Sequence, residues 1–181
     1  MAKKLGIGIA GLGTVGSGFL RQLKKFKTNA KSDYDLKLVE IAVKNIRKKR
    51  GLSIKGLPIS SDALKLASNK EIDIVIELIG GSSGVAYQLV KKSLINGKHV
   101  ITANKALLAI HGNELIKIAE RTNVSISYEA AIAGGIPIVK VIRENLKYNE
   151  ISKVHGILNG TCNYILTKME KEGKDFNSVL K

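Results

Sequence analysis

An apolar run from Leu5 to Ala10 ends directly in Gly11-Leu12-Gly13-Thr14-Val15-Gly16, and apolar residues then recur at helical spacing at Val15, Phe19, Leu20 and Leu23. A strand that stops in glycines and restarts as a helix is compatible with few folds. Gly11 permits the tight turn, Gly13 lets a ligand approach bare backbone, and Gly16 lets the helix pack close to the strand. The first helical turn leaves its N–H groups without intrahelical partners, and with the helix dipole they form a seat for phosphate. Alone, three glycines at this spacing are a weak signal. Between a strand and a helix they read as the opening of a nucleotide-binding βαβ unit.

The alternation continues along the chain. Lys37 to Lys44 reads as a second strand, Gly51 to Ser61 as a loop, and Asp62 to Asn69 as a short capped helix. Ile72 to Ile79 reads as a third strand ending in Gly80 and Gly81. Ser82 and Ser83 are N-cap candidates for a helix to Asn96, with Gly97 as its left-handed stop. His99 to Ala103 is the fourth predicted strand, Ala106 to Arg121 a helix, and Val124 to Tyr128 the fifth strand. Strands separated by helices of this length pair in parallel through right-handed crossovers, which predicts a Rossmann-type doubly wound sheet. Aromatics are only 4% of the chain, so aliphatic side chains must fill a sheet buried on both faces.

The pattern changes after residue 129. Glu129 to Gly135 is a linker of small residues, and Pro137 suits the first turn of a helix to Leu146. Ile151 to Leu158 looks like a strand and Thr161 to Glu172 like a helix, while Asp175 caps one more. The expected organisation is a nucleotide-binding domain over 1–129 and the start of a second, α+β domain over 130–181. With about fifty residues of that second domain, the sequence reads as a fragment.

The formal charge of +15 admits a nucleic-acid surface or a solvated, lysine-biased one. The cations are spread along the chain with no RNA-binding aromatic motif or zinc-finger spacing, which favours the second reading and no nucleic-acid partner. No run approaches the roughly 20 apolar residues of a membrane span, and the N-terminus has no secretory signal. A single cysteine, Cys162, is expected to be a packing residue in a cytoplasmic protein. His99, His111 and His155 share no metal-ligand spacing.

The end of the second strand bears on which dinucleotide binds. NAD sites place an acid there for the ribose 2′-hydroxyl. Here the strand ends in Val43-Lys44-Asn45, with Arg47 and Lys48 following, and Glu40 lies too early. Cations without a carboxylate predict NADP over NAD. Gly80, Gly81 and Ser82 follow the third strand, Thr102, Ala103, Asn104 and Lys105 the fourth, and Glu129 the fifth. Open α/β sheets gather such segments around one crevice. Lys105 there would hold a substrate oxygen, stabilise alkoxide charge or pass a proton; spacing alone leaves it equally open to a reading as a solvated helix-start lysine.

Four runs carry a resemblance: Glu77 to Gly81, Val100 to Leu107, Tyr128 to Pro137, and Gly156 to Thr167. In order and rough spacing they resemble homoserine dehydrogenase, over essentially the whole chain from Leu5. The resemblance implies reversible hydride transfer between NAD(P)H and L-aspartate 4-semialdehyde to give L-homoserine, a step feeding threonine and methionine synthesis. It implies that Lys105 is the active-site lysine, that Gly160 and Thr161 lie near the substrate, and that the family enzyme is a homodimer. It also implies a sodium site at Glu129 and the carbonyls of Ile132, Gly134 and Ile136, an oxygen set suited to a hard cation. The family's acidic substrate-binding residues and proton-donating lysine fall beyond Lys181. Residues 1–181 are therefore expected to bind cofactor with negligible turnover.

Overall fold

The computed structural model describes residues 3–29, 33–48, 50, 54–156 and 160–180. Contacts divide the chain into two units, Met1–Lys140 and Val141–Lys181.

In the first unit, parallel strands β1 (Lys3–Ala10), β2 (Tyr34–Ala42), β3 (Ile59–Ser60), β4 (Ile74–Glu77), β5 (His99–Thr102) and β6 (Ile126–Ser127) form one sheet in the order β3-β2-β1-β4-β5-β6. Helices α1 (Thr14–Asn29), α2 (Lys65–Ser68), α3 (Val85–Ile95) and α4 (Lys105–Arg121) lie between the strands. The chain winds outward from β1 to β3, then resumes on the other side at β4. This is the predicted doubly wound sheet, and the reversal leaves a crevice at the carboxyl ends of β1 and β4.

Both sheet faces are covered, so successive strand residues enter different cores. Val75 packs with Leu89, Val90, Leu94, Leu107 and Leu115 on one side, and its neighbour Ile76 with Ile7, Ile9, Leu20, Leu23 and Ile41 on the other. Side chains of this size contribute about 1.5–3 kcal/mol each when fully buried. Lys98 is buried with them, 7% exposed, its ammonium donating to the carbonyls of Asn69 (2.7 Å) and Ile72 (2.6 Å). Burial pulls its pKa below the ordinary lysine value, while Asp73 opposes that shift.

Several local expectations are corrected. The predicted loop 51–61 contains β3, a two-residue edge strand held against Ile41 and Ala42. Neither Ser82 nor Ser83 caps α3: Gly84, at φ 65°, holds the cap position, with no side-chain cap bond. Gly97, at φ 71°, ends α3 as predicted. A register shift between Ile7 and Gly8 sets Glu40 opposite Gly8, inside the strand. After β6 come a 3-10 turn, Glu129–Ala131, and the short helix α5, Ile138–Lys140. Among the described residues, no helix is long and apolar enough to cross a membrane.

The second unit holds a π-helical turn, Val141–Asn145, then α6 (Gly160–Glu172) and α7 (Phe176–Leu180). The helix predicted from Pro137 to Leu146 is thus realised only in pieces, and Leu146 N–H bonds back to Val141 O with π spacing. Asp175 caps α7 as predicted, Oδ1 accepting the N–H of Ser178 at 3.1 Å. The expected strand at 151–158 does not form over 151–156, and 157–159 lie outside the described residues. A strand needs a ladder partner, and the described residues of this unit contain none. Cys162 is exposed on the first turn of α6 instead of packed.

Candidate active site

The glycine loop divides by purpose. Gly11 has φ 101°, and a Cβ there would stand 2.5 Å from Leu78 O; one on Gly16 would stand 2.4 Å from Gly11 O. Both glycines are needed by the protein itself. A Cβ on Gly13 would meet nothing within 4 Å, so that position faces open space. Thr14 opens α1, whose first turn carries no acidic residue, and Thr14 and Val15 are exposed. Leu12 is buried on the α1 side of the sheet, leaving only its backbone to face a ligand. Gly11 N–H is used by the fold, donating to Ala42 O at 2.9 Å, while the open backbone at Gly13 and the start of α1, with no acid in its first turn, fit a pyrophosphate.

Beside it lies a crevice of about 140 Å³, lined by Val15, Leu78, Ile79, Gly80, Ala103 and Asn104. The segments after β1, β4 and β5 therefore meet, as expected, whereas Glu129, after β6, does not line this crevice. Gly80 and Gly81 have φ of 82° and 84°, conformations that strain any residue with a side chain. Ser82 is half-buried beyond them, and Lys105 is exposed at the start of α4.

Behind the crevice wall runs a hydrogen-bond chain that periodicity does not reveal. Glu77, the last residue of β4, is fully buried. Its Oε1 accepts the N–H groups of Ile79 (2.8 Å) and Gly80 (3.1 Å), and its Oε2 accepts the Thr102 hydroxyl at 2.6 Å. Thr102 Oγ1 in turn accepts Asn104 N–H at 3.0 Å. Asn104 then donates from Nδ2 to Gly81 O (2.7 Å) and caps α4 by accepting Leu107 N–H at Oδ1 (3.1 Å). Thr102 thus faces inward, behind the crevice surface. The available signal was an acid ending an apolar strand directly before a glycine loop.

At the end of β2, Lys44 and Arg47 are exposed. Asn45 Oδ1 accepts Arg47 N–H at 3.0 Å, forming a tight turn. Arg50 is committed to the loop, donating to the carbonyls of Asn45 (2.7 Å) and Lys48 (2.8 Å). Glu40 accepts Asn69 Nδ2 at 3.4 Å from within the strand.

After β6, Glu129 caps α5, its two oxygens accepting the N–H groups of Val139 and Lys140 at 3.0 Å each. Ile132, Gly134 and Ile136 are exposed on a loop where Ala133 and Gly135 have φ of 47° and 88°. Ile136 O already accepts Ile138 N–H at 2.8 Å. In the second unit, Gly160 and Thr161 open α6 and are exposed.

A family model described as homoserine dehydrogenase, NAD binding domain, matches residues 11–129, and one described as homoserine dehydrogenase matches residues 137–181. The chain belongs to the homoserine dehydrogenase family. The Pseudomonas aeruginosa homoserine dehydrogenase is 43% identical over 180 residues, covering 98% of this chain and 41% of its own length. The Bacillus subtilis homoserine dehydrogenase is 37% identical over 181 residues, covering 99% and 42%. The crystal structure of a homoserine dehydrogenase from Thiobacillus denitrificans matches at TM-score 0.87 and 41% identity, over 99% of this chain and 42% of that one. This chain therefore spans about 41% of the length of the curated homoserine dehydrogenases it matches. The glycine loop, the crevice and Lys105 all fall in the part matching the family's dinucleotide-binding domain.

Proposed function

We propose that this chain carries the cofactor-binding part of a homoserine dehydrogenase, converting L-aspartate 4-semialdehyde reversibly to L-homoserine on the route to threonine and methionine in the cytoplasm. The observation that carries this is the crevice where Val15, Ile79–Gly80 and Ala103–Asn104 meet beside the exposed Lys105. Family-model limits at residues 129 and 137 support a domain boundary between them.

The bound nicotinamide cofactor supplies or accepts the hydride. The backbone at Gly11, Gly13 and Thr14–Gly16 binds its pyrophosphate. Because β2 takes the adenosine side of β1, the dinucleotide's other half lies over the ends of β4 and β5, against Gly80, Gly81, Ser82 and Ala103. From the start of α4, Lys105 directs its ammonium at the substrate oxygen, where it stabilises negative charge as the aldehyde is reduced. Exposed Lys44 and Arg47, with no acid at the end of β2, favour the 2′-phosphate of NADP over the free ribose of NAD. Gly160 and Thr161 are assigned to the substrate side.

We assign a sodium ion to Glu129 and the carbonyls of Ile132, Gly134 and Ile136. Oxygen donors suit a hard cation, and a carboxylate or carbonyl oxygen that accepts one N–H retains a second lone pair. The family resemblance supports a homodimer for the full-length enzyme, of which this chain spans about 41%.

Fluorescence titration with NADPH and NADH tests the cofactor reading. NADPH should bind more tightly, and a strong preference for NADH would overturn the NADP assignment.

A further inference from the structure

We propose that Glu77 is a positioning residue for the nicotinamide half of the site, fixing the loop after β4 and the start of α4 in one shared register. The inference rests on the dinucleotide seat proposed above. Glu77 touches neither crevice surface nor solvent, yet its carboxylate reaches both segments that form the crevice wall. Through Oε1 it holds the N–H groups of Ile79 and Gly80; through Oε2 and Thr102 it reaches the backbone of Asn104, one residue before Lys105. Asn104 closes the loop by donating to Gly81 O. A shift of either segment breaks bonds at both.

The chemistry asks for a carboxylate and not merely a polar side chain. All three of its partners donate: two peptide N–H groups and a hydroxyl. A group with acceptors only satisfies all three. The 2.6 Å hydroxyl contact is in the range for O–H on a charged oxygen. An amide at this position turns one acceptor into a donor aimed at Thr102, whose hydroxyl must then reverse. Left-handed Gly80 and Gly81 have no side chains to anchor them, so Glu77 supplies the anchor from below.

The role is local to one half of the cofactor, because the adenosine end lies across β1 at β2. The test compares two ligands on the 181-residue chain: NADPH, which spans both halves, and adenosine 2′,5′-bisphosphate, which fills only the adenosine half. Glu77→Gln and Thr102→Val should each weaken NADPH about tenfold, equivalent to about 1.4 kcal/mol. Both should leave adenosine 2′,5′-bisphosphate within about twofold, and Thr102→Ser should restore NADPH binding. The double variant should be no weaker than the worse single one, since the two groups act as one unit. Equal loss of both ligands would reduce Glu77 to general scaffolding and overturn the proposal, as would unchanged NADPH binding in both variants. Should Glu77→Gln not fold, the Thr102 pair decides alone. If the unaltered chain binds neither ligand, the underlying seat has failed instead.

Discussion

A Cβ placed on Gly16 would stand 2.4 Å from the carbonyl oxygen of Gly11, whereas one placed on Gly13 meets nothing within 4 Å. Gly→Ala inside a helix ordinarily gains up to about 1 kcal/mol. At Gly16 the clash reverses that sign, and Gly16→Ala should lose about 1–3 kcal/mol, read as a lower urea midpoint. Gly13→Ala should leave the midpoint within about 0.5 kcal/mol and still weaken NADPH, because the methyl fills space reserved for the pyrophosphate. A Gly13→Ala chain that binds NADPH normally would remove the phosphate seat from this loop.

Lys105 is exposed at the first position of α4. In an enzyme carrying the family's full length, Lys105→Ala should lower kcat about 10²–10³-fold with the melting temperature unchanged. Residues 1–181 alone should bind NADPH but show negligible homoserine oxidation, measured by NADPH absorbance.

Lys44→Ala and Arg47→Ala should each weaken NADPH by about tenfold and leave NADH nearly unchanged, since a hydrogen bond to a charged group is worth about 1.5–3 kcal/mol. Both side chains are exposed, so the NADPH advantage should shrink as salt rises. Parallel losses for the two cofactors would exclude a 2′-phosphate contact.

Between α3 and α4, Glu114 accepts hydrogen bonds from Lys91 (2.7 Å) and Tyr87 (2.9 Å), and Tyr87 stacks on His111 at 4.2 Å. The Lys91 ammonium, then the Tyr87 hydroxyl, hold the Glu114 carboxyl below its ordinary value of 4.5. A depressed carboxylate stabilises the fold above its unfolded-state value, and the contribution disappears as pH falls through the folded-state one. Between about pH 6 and pH 3 the melting temperature should therefore fall further for the unaltered chain than for Glu114→Gln.

β1 and β4 announce themselves twice, by aliphatic runs and by the glycines that follow them; β2, β5 and β6 do so by their apolar residues alone. β3 escaped because two residues in a loop with Gly56 and Pro58 carry no period; only the neighbouring Ile41 and Ala42 make them a strand. The residues proposed to face the ligand follow from the same pattern, since strand ends are where ligands bind in open α/β sheets. Glu77 was not, because its partners are peptide groups and a hydroxyl brought to it by folding. Lys98 hides similarly: its side chain ends on the carbonyls of Asn69 and Ile72, which folding alone brings to it.

Gly80 and Gly81 also limit how this protein can adapt to heat. Replacing a flexible glycine with a stiffer residue is a common route to thermostability, but it works only where the backbone suits an L side chain. The left-handed angles after β4 close that route at the crevice. It stays open in the helices, where Gly18 has no neighbour within 4 Å of an added Cβ and Gly112 has only an ordinary contact at 3.9 Å. Selection for a hotter habitat would thus stiffen α1 and α4 while the loop after β4 kept its glycines, leaving the loop the softest part of a hardened scaffold.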